Sequence, residues 1–169
     1  MKRLVLLRHG KSDWDAPFDQ DRERPLAGRG RRSAKLMGRF LAAAGWTPDR
    51  VLTSPALRAR ATVELAAESG GWSCPVELEE VLYSGEPEDI AERLRTVPNS
   101  TETLLLAGHQ PVWSQLLAVL VGGGAYRLPT ASVAALTFDA DTWQDLEPGT
   151  GELRFIVPPK LFKHVPLGE

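Results

Sequence analysis

The chain has 169 residues, 43% of them hydrophobic and 25% charged, enough to bury one sizeable core but short for two domains of ordinary size. Lys plus Arg number 20 against 22 Asp plus Glu, a net charge of −2, which provides no global attraction to nucleic acid or to an anionic membrane. The single cysteine, Cys74, excludes an internal disulfide framework, and three dispersed histidines with no second thiol argue against a structural zinc site. Met1-Lys2-Arg3 followed by Leu4 to Leu7 begins like a signal peptide, but the apolar run breaks at Arg8, His9 and Gly10. No run approaches the roughly 18 apolar residues of a membrane span. The expectation is a soluble, cytoplasmic protein.

Leu4 to Leu7 is a continuous apolar run that stops at a charged, glycine-containing turn, the pattern of a strand buried on both faces. A polar loop with Asp13, Trp14, Asp15, Asp19 and Asp21 follows, and then Gly28 to Ala44 carries Leu36, Met37, Phe40 and Leu41 at helical spacing, with Gly45 as the C-cap. Asp49 to Thr53 reads as a second strand. Ser54-Pro55 reads as an N-cap followed by proline at the first helical position, opening a helix to about Ser69. Val76 to Leu78 is a weak strand and Glu88 to Arg95 a helix, and Thr103 to Ala107 is a strongly apolar strand that again ends at glycine and histidine, Gly108-His109. Pro111 starts a helix through Val121, which the glycine run 122–124 stops. Val133 to Phe138 and Leu153 to Val157 are strands with no long helix between them, and Pro158, Pro159 and Pro166 mark an irregular tail over 158–169. The order predicts an α/β fold with a mixed sheet and helices on both faces.

Two strands end in a histidine, and a third is followed by a helix that shows Arg58 one turn in. If the three are neighbours in a parallel core, Arg8, His9, Arg58 and His109 converge at one sheet edge. That composition suits phosphate: two guanidinium forks hold a tetrahedral oxyanion, and two imidazoles divide the roles of nucleophile and hydrogen-bond donor.

The blocks Leu7-Arg8-His9-Gly10, Ser54-Pro55-Ala56-Leu57-Arg58-Ala59-Arg60-Ala61-Thr62 and Ala107-Gly108-His109-Gln110-Pro111 together resemble the histidine phosphatase superfamily, also called phosphoglycerate-mutase-like. The order and spacing match over almost the whole chain. The compact length, Arg24-Pro25-Leu26 and Gly108-His109-Gln110-Pro111 resemble its SixA-type phosphohistidine phosphatase branch. The resemblance implies a three-layer α/β/α sandwich with a mostly parallel central sheet, formed by residues 1–169 as a single histidine phosphatase domain. It further implies a metal-independent phosphatase in which His9 is the nucleophile of a phosphohistidine intermediate, with Arg8, Arg58 and His109 binding the substrate phosphoryl.

The same roles follow from the residues. His9 must be neutral to attack phosphorus, and Arg8 and Arg58 beside it lower its pKa. With no Walker-type loop or carboxylate-rich metal motif, neither metal nor cofactor is expected. Many superfamily members protonate the leaving oxygen with a Glu in a Leu-x-Glu segment. Leu78-Glu79-Glu80 with Gly85 matches in part and makes Glu80 a candidate proton donor, with Asp13, Asp15, Asp19 or Asp21 as alternatives. A site without an acid favours phosphohistidine substrates, whose imidazole leaves more easily than an alkoxide.

The basic run Arg22, Arg24, Arg29, Arg31, Arg32, Lys35 and Arg39 lacks interleaved aromatics, so it reads as a solvated helix face rather than an RNA site, with Arg22 and Arg24 bordering the pocket. Trp46, Trp72, Trp113 and Trp143 read as packing, whereas Trp14, five residues after His9, either lines the pocket or packs. Thr130 and Ser132 reach the rim or are ordinary strand-entry residues. The expected partner is a phosphorylated protein or a small phosphorylated metabolite, not nucleic acid or membrane. A mutase is disfavoured by the short chain. The alternative is a catalytically idle phospho-binding or adaptor module.

Overall fold

The structure, a computed structural model, describes residues 1–168. Its elements in chain order are β1 (Lys2–Arg8), α1 (Gly28–Ala43), β2 (Arg50–Thr53), α2 (Leu57–Gly70), β3 (Val76–Leu78), α3 (Val81–Ser84), α4 (Pro87–Leu94), β4 (Thr103–Gly108), α5 (Val112–Val121), β5 (Val133–Phe138) and β6 (Glu152–Val157). They build one six-stranded sheet of order β3-β2-β4-β1-β5-β6. The four strands from β3 to β1 are parallel, β5 pairs antiparallel with β1, and β6 pairs antiparallel with β5.

Strand alternation sorts the apolar runs onto two faces. Leu4 and Leu6 of β1 pack with Ile90 and Leu94 of α4 and with Trp113, Leu116 and Leu120 of α5. Val5 and Leu7 point the other way, onto Met37 and Leu41 of α1 and Val63 and Ala66 of α2. β1 and β4 sit in the middle of the sheet with every apolar side chain fully buried, which is why both read as unbroken apolar runs. The result is the α/β/α sandwich with a mostly parallel sheet. α1 and α2 approach closely because Gly38 has no side chain: a Cβ there would run into the Ala66 backbone. The tryptophans at 46, 72, 113 and 143 are all in the core.

The structure departs from the sequence reading in three main places. α2 begins at Leu57 rather than at Ser54-Pro55, because Ser54 Oγ accepts the Ala56 N–H at 3.2 Å and closes a local turn instead of capping the helix. The four-residue α3 carries too little periodicity to be seen. The tail is not wholly irregular: Pro159–Lys163 forms a 3₁₀ turn that brings Phe162 to 5.3 Å from Phe40, ring centre to ring centre, while Glu169 lies outside the described residues. Among the described residues no helix is long and apolar enough to cross a membrane.

Candidate active site

β1 and β4 pair in parallel register with Arg8 opposite Gly108, so His9 and His109 leave adjacent strand ends at the same sheet edge. The His9 N–H donates to the Gly108 carbonyl at 3.1 Å, and the two imidazole rings lie 5.2 Å apart. β2 occupies the other side of β4 and delivers Ser54 and, in the first turn of α2, Arg58. The four residues singled out in the sequence therefore line one pocket of about 250 Å³, together with Lys11, Ser12, Trp14, Arg24, Gln110 and Thr130.

His9 is held in one tautomer. Its Nδ1 lies 2.7 Å from the Gly10 carbonyl, an oxygen that can only accept, so Nδ1 carries the proton and Nε2 keeps its lone pair. The ring is 8% exposed. Burial, opposed by the Gly10 hydrogen bond and reinforced by Arg58, Arg8 and Arg24, pushes its pKa down to about 4. The neutrality expected from the arginines is thus present, but desolvation is its main cause. Gly10 is fixed from behind: its N–H donates to Thr62 Oγ1 at 3.0 Å, and that hydroxyl donates to the Arg58 carbonyl at 2.7 Å. A Cβ on Gly10 would meet the Gly30 carbonyl at 2.7 Å, so the turn after His9 packs directly on the start of α1.

His109 Nε2 and Ser54 Oγ share a 2.8 Å hydrogen bond. Burial first, then His9 and Arg58, push the His109 pKa down to about 3. Both imidazoles are neutral at neutral pH. Arg8 Nη1 donates to the Leu128 carbonyl at 2.8 Å, and Arg58 donates through Nη1 and Nη2 to the Asp21 carbonyl and carboxylate at 2.8 and 2.9 Å. After these bonds, Arg8 Nε, Arg58 Nε and His109 Nδ1 are buried with no partner among the described residues. A buried polar group without a partner costs about 1–3 kcal/mol, so three of the four predicted residues hold hydrogen-bonding capacity that a tetrahedral oxyanion is suited to take up.

The rim is a folded-back loop. Ser12 and Leu26 form an antiparallel bridge, and the Ala27 N–H donates to the Lys11 carbonyl at 2.8 Å. This brings Arg24 over the pocket, where Nε donates to Ser12 Oγ at 3.0 Å and Nη1 to Asp21 Oδ1 at 2.6 Å. Asp21 also accepts from Tyr83 Oη at 2.8 Å. Burial would raise the Asp21 pKa, but hydrogen bonds from Tyr83, Arg58 and Arg24 outweigh it and hold the carboxyl well below the usual range. Asp21 is therefore a fixed anion that organises two arginines, a role the sequence reading missed when it offered Asp21 as an acid.

Glu80 is not brought to the pocket. It sits exposed at the start of α3 and accepts from Arg22 Nη2 at 2.8 Å. Asp13, Asp15 and Asp19 are likewise absent from the lining, which among the described residues contains no carboxylic acid. Of the two residues around the start of β5, Thr130 lines the pocket and Ser132 is buried, donating to the Pro129 carbonyl at 2.6 Å. Arg24 borders the site as expected, whereas Arg22 pairs with Glu80 outside it. Arg29, Arg31, Arg32, Lys35 and Arg39 are exposed on α1. The sequence reading did not single out Lys11, Ser12, Gln110 or the Ser54 partner of His109. Ser12 and Lys11 had a signal in their closeness to His9, and Gln110 in its closeness to His109.

Residues 4–84 match the model of the histidine phosphatase superfamily (branch 1). An uncharacterised protein of Mycobacterium tuberculosis is 36% identical over 157 residues, spanning 87% of this chain and 96% of that one. The phosphohistidine phosphatase SixA of Escherichia coli is 29% identical over 140 residues, spanning 81% of this chain and 86% of that one. Among solved structures, the protein histidine phosphatase SixA complexed with tungstate superposes with a TM-score of 0.83 at 26% identity, covering 95% of this chain and 99% of that one. Family and fold together support phosphatase activity. With the matching family model and the likeness to SixA proteins over most of the length, the chain belongs to the histidine phosphatase superfamily and has a SixA-like structure.

Proposed function

We propose that this chain is a metal-independent phosphatase that passes the phosphoryl group through His9, acting on phosphohistidine in a protein or on a small phosphorylated metabolite. The observation that carries this reading is the make-up of the pocket: two neutral imidazoles and the cations Arg8, Lys11, Arg24 and Arg58, with no carboxylic acid in the lining among the described residues. His9 Nε2 attacks phosphorus as the bond to the leaving group breaks, giving phosphohistidine on the enzyme. Arg8, Arg58 and His109 hold the equatorial oxygens, where negative charge concentrates in the loose transition state. Water then attacks the phosphoryl, releasing inorganic phosphate and restoring His9. Among the described residues no group of three or more His, Cys, Asp or Glu side chains is arranged to hold a metal ion, so charge neutralisation falls to the guanidinium groups.

The missing acid bears on the substrate. An alkoxide departing into this pocket finds no carboxylic acid among the described lining residues to protonate it. An imidazole nitrogen is a far better leaving group, and its basicity lets it take the proton from solvent. The geometry thus favours a phosphoramidate over an alkyl monoester. The tungstate held by the similar SixA structure is a tetrahedral oxyanion of the kind that the arginines suit. The test is phosphate release from a phosphohistidine-bearing protein and from p-nitrophenyl phosphate in EDTA, for the native chain and His9→Ala. Turnover that survives EDTA and disappears in the variant supports the proposal. A native chain that turns over neither substrate favours an idle phospho-binding module.

A further inference from the structure

Trp14 lines the pocket yet is 64% exposed, an unusual position for the largest apolar side chain in a protein. It is not loose. The Arg24 guanidinium lies 3.7 Å from the centre of one indole face, and Phe18 meets the ring edge-on at 6.1 Å. Arg24 is itself 5% exposed and pinned by Ser12 and Asp21, so it braces the indole across one face. With one face covered and an edge in contact, an exposure of 64% means that the second face is open.

Among the described residues no other large apolar side chain lines the pocket. Its remaining walls are guanidinium, ammonium, imidazole, amide and hydroxyl groups, all suited to the phosphoryl end of a substrate. Trp14 alone offers a surface to the group that the phosphoryl is attached to. An indole face is flat and electron-rich, and it favours planar rings, above all rings that carry positive charge. An imidazole that is protonated as its P–N bond breaks is such a ring.

We propose that Trp14 is the leaving-group platform of this site, its open face stacking on a planar ring joined to the phosphoryl, so that it selects imidazole-type leaving groups over alkyl ones. This rests on the phosphatase reading above and narrows its substrate class. If Trp14 only shielded Arg24, removing the indole would weaken all oxyanions alike.

The test is the affinity of two non-hydrolysable anions, phenylphosphonate and methylphosphonate, measured by titration calorimetry on the native chain, Trp14→Ala and Trp14→Phe. The native chain is expected to prefer the phenyl compound by about two- to tenfold, the worth of one aromatic contact. Trp14→Ala should bring the ratio close to one, and Trp14→Phe should restore most of it. Equal affinities in the native chain, or a preference that persists in Trp14→Ala, overturn the assignment of Trp14 and leave the phosphatase reading standing. Failure of the native chain to bind either phosphonate overturns both.

Discussion

The floor and the rim of the pocket are built by different means. The floor residues His9, His109 and Arg58 are placed by backbone: two central strands in parallel register end side by side, and α2 begins just beyond a third. The rim residues Trp14, Asp21 and Arg24 belong to a loop whose shape depends on side chains gripping one another, with one carboxylate holding Arg24, Arg58 and Tyr83. A floor set by the core of the sheet is rigid, whereas a rim set by a few side-chain contacts in a loop is easily changed. Under the proposed function, the chemistry belongs to the floor and the choice of substrate to the rim.

Breaking the floor should cost most. His9→Ala is expected to lower kcat by about 10⁴-fold or more, the usual consequence of deleting a nucleophile, while circular dichroism and thermal midpoint stay close to native. Next, Arg58→Ala should reduce kcat/KM by about 10²- to 10³-fold through loss of a preorganised oxyanion donor. Arg58→Lys should recover little, because a point charge cannot both keep the fork on Asp21 and donate to substrate. Substantial recovery would mean that charge alone matters at this position.

A third prediction concerns pH. Burial pushes His9 down to about 4, so at pH 5 roughly nine-tenths of His9 is neutral, about thirtyfold more than for an ordinary histidine. The His9 ring resonances, followed by NMR from pH 8 downwards, should move near pH 4. A transition near 6.5 would show that the ring is solvated. The same shifts affect stability. For His9 and for His109, at about 3, the folded pKa lies below the unfolded one. The unfolded chain then binds more protons as pH falls below about 6.5, and the fold loses stability through that window down to the folded pKa values.

The smallest effect sharpens the comparison from the other side. Glu80→Gln removes the ion pair with Arg22 on the exposed face and should change kcat/KM for p-nitrophenyl phosphate by less than about twofold. A loss of a hundredfold or more would return Glu80 to the role of proton donor and contradict an acid-free pocket.

The same division explains what the sequence made legible. Leu4 to Leu7 and Thr103 to Ala107 are buried on both faces and end abruptly at Arg8-His9-Gly10 and Gly108-His109, so both strands and their pocket-lining ends could be read from an apolar run and its stop. Arg58 was legible because it follows a strand by a short turn. The start of α2 was misjudged because Ser54-Pro55 has the composition of a helix N-terminus, while its hydroxyl is committed to the Ala56 N–H and to His109. Glu80 drew attention through Leu-x-Glu alone, and only the folded chain places it on Arg22 outside the pocket. The joining of Arg24 to Trp14 and Asp21 depends on the Ser12–Leu26 bridge, a tertiary contact that leaves no periodic trace in the sequence. His9 neutrality was anticipated, but its leading cause, burial, required the fold.

The most direct test of the central claim is to trap the intermediate. The native chain would be mixed with a phosphohistidine-bearing protein, quenched in alkali within milliseconds to seconds to preserve P–N bonds, digested and mapped by mass spectrometry. Catalysis through the floor predicts phosphate on His9 in the native chain and none there in His9→Ala. Phosphate on His109, or steady turnover with no phosphoryl-enzyme at any quench time and full activity in His9→Ala, would contradict it.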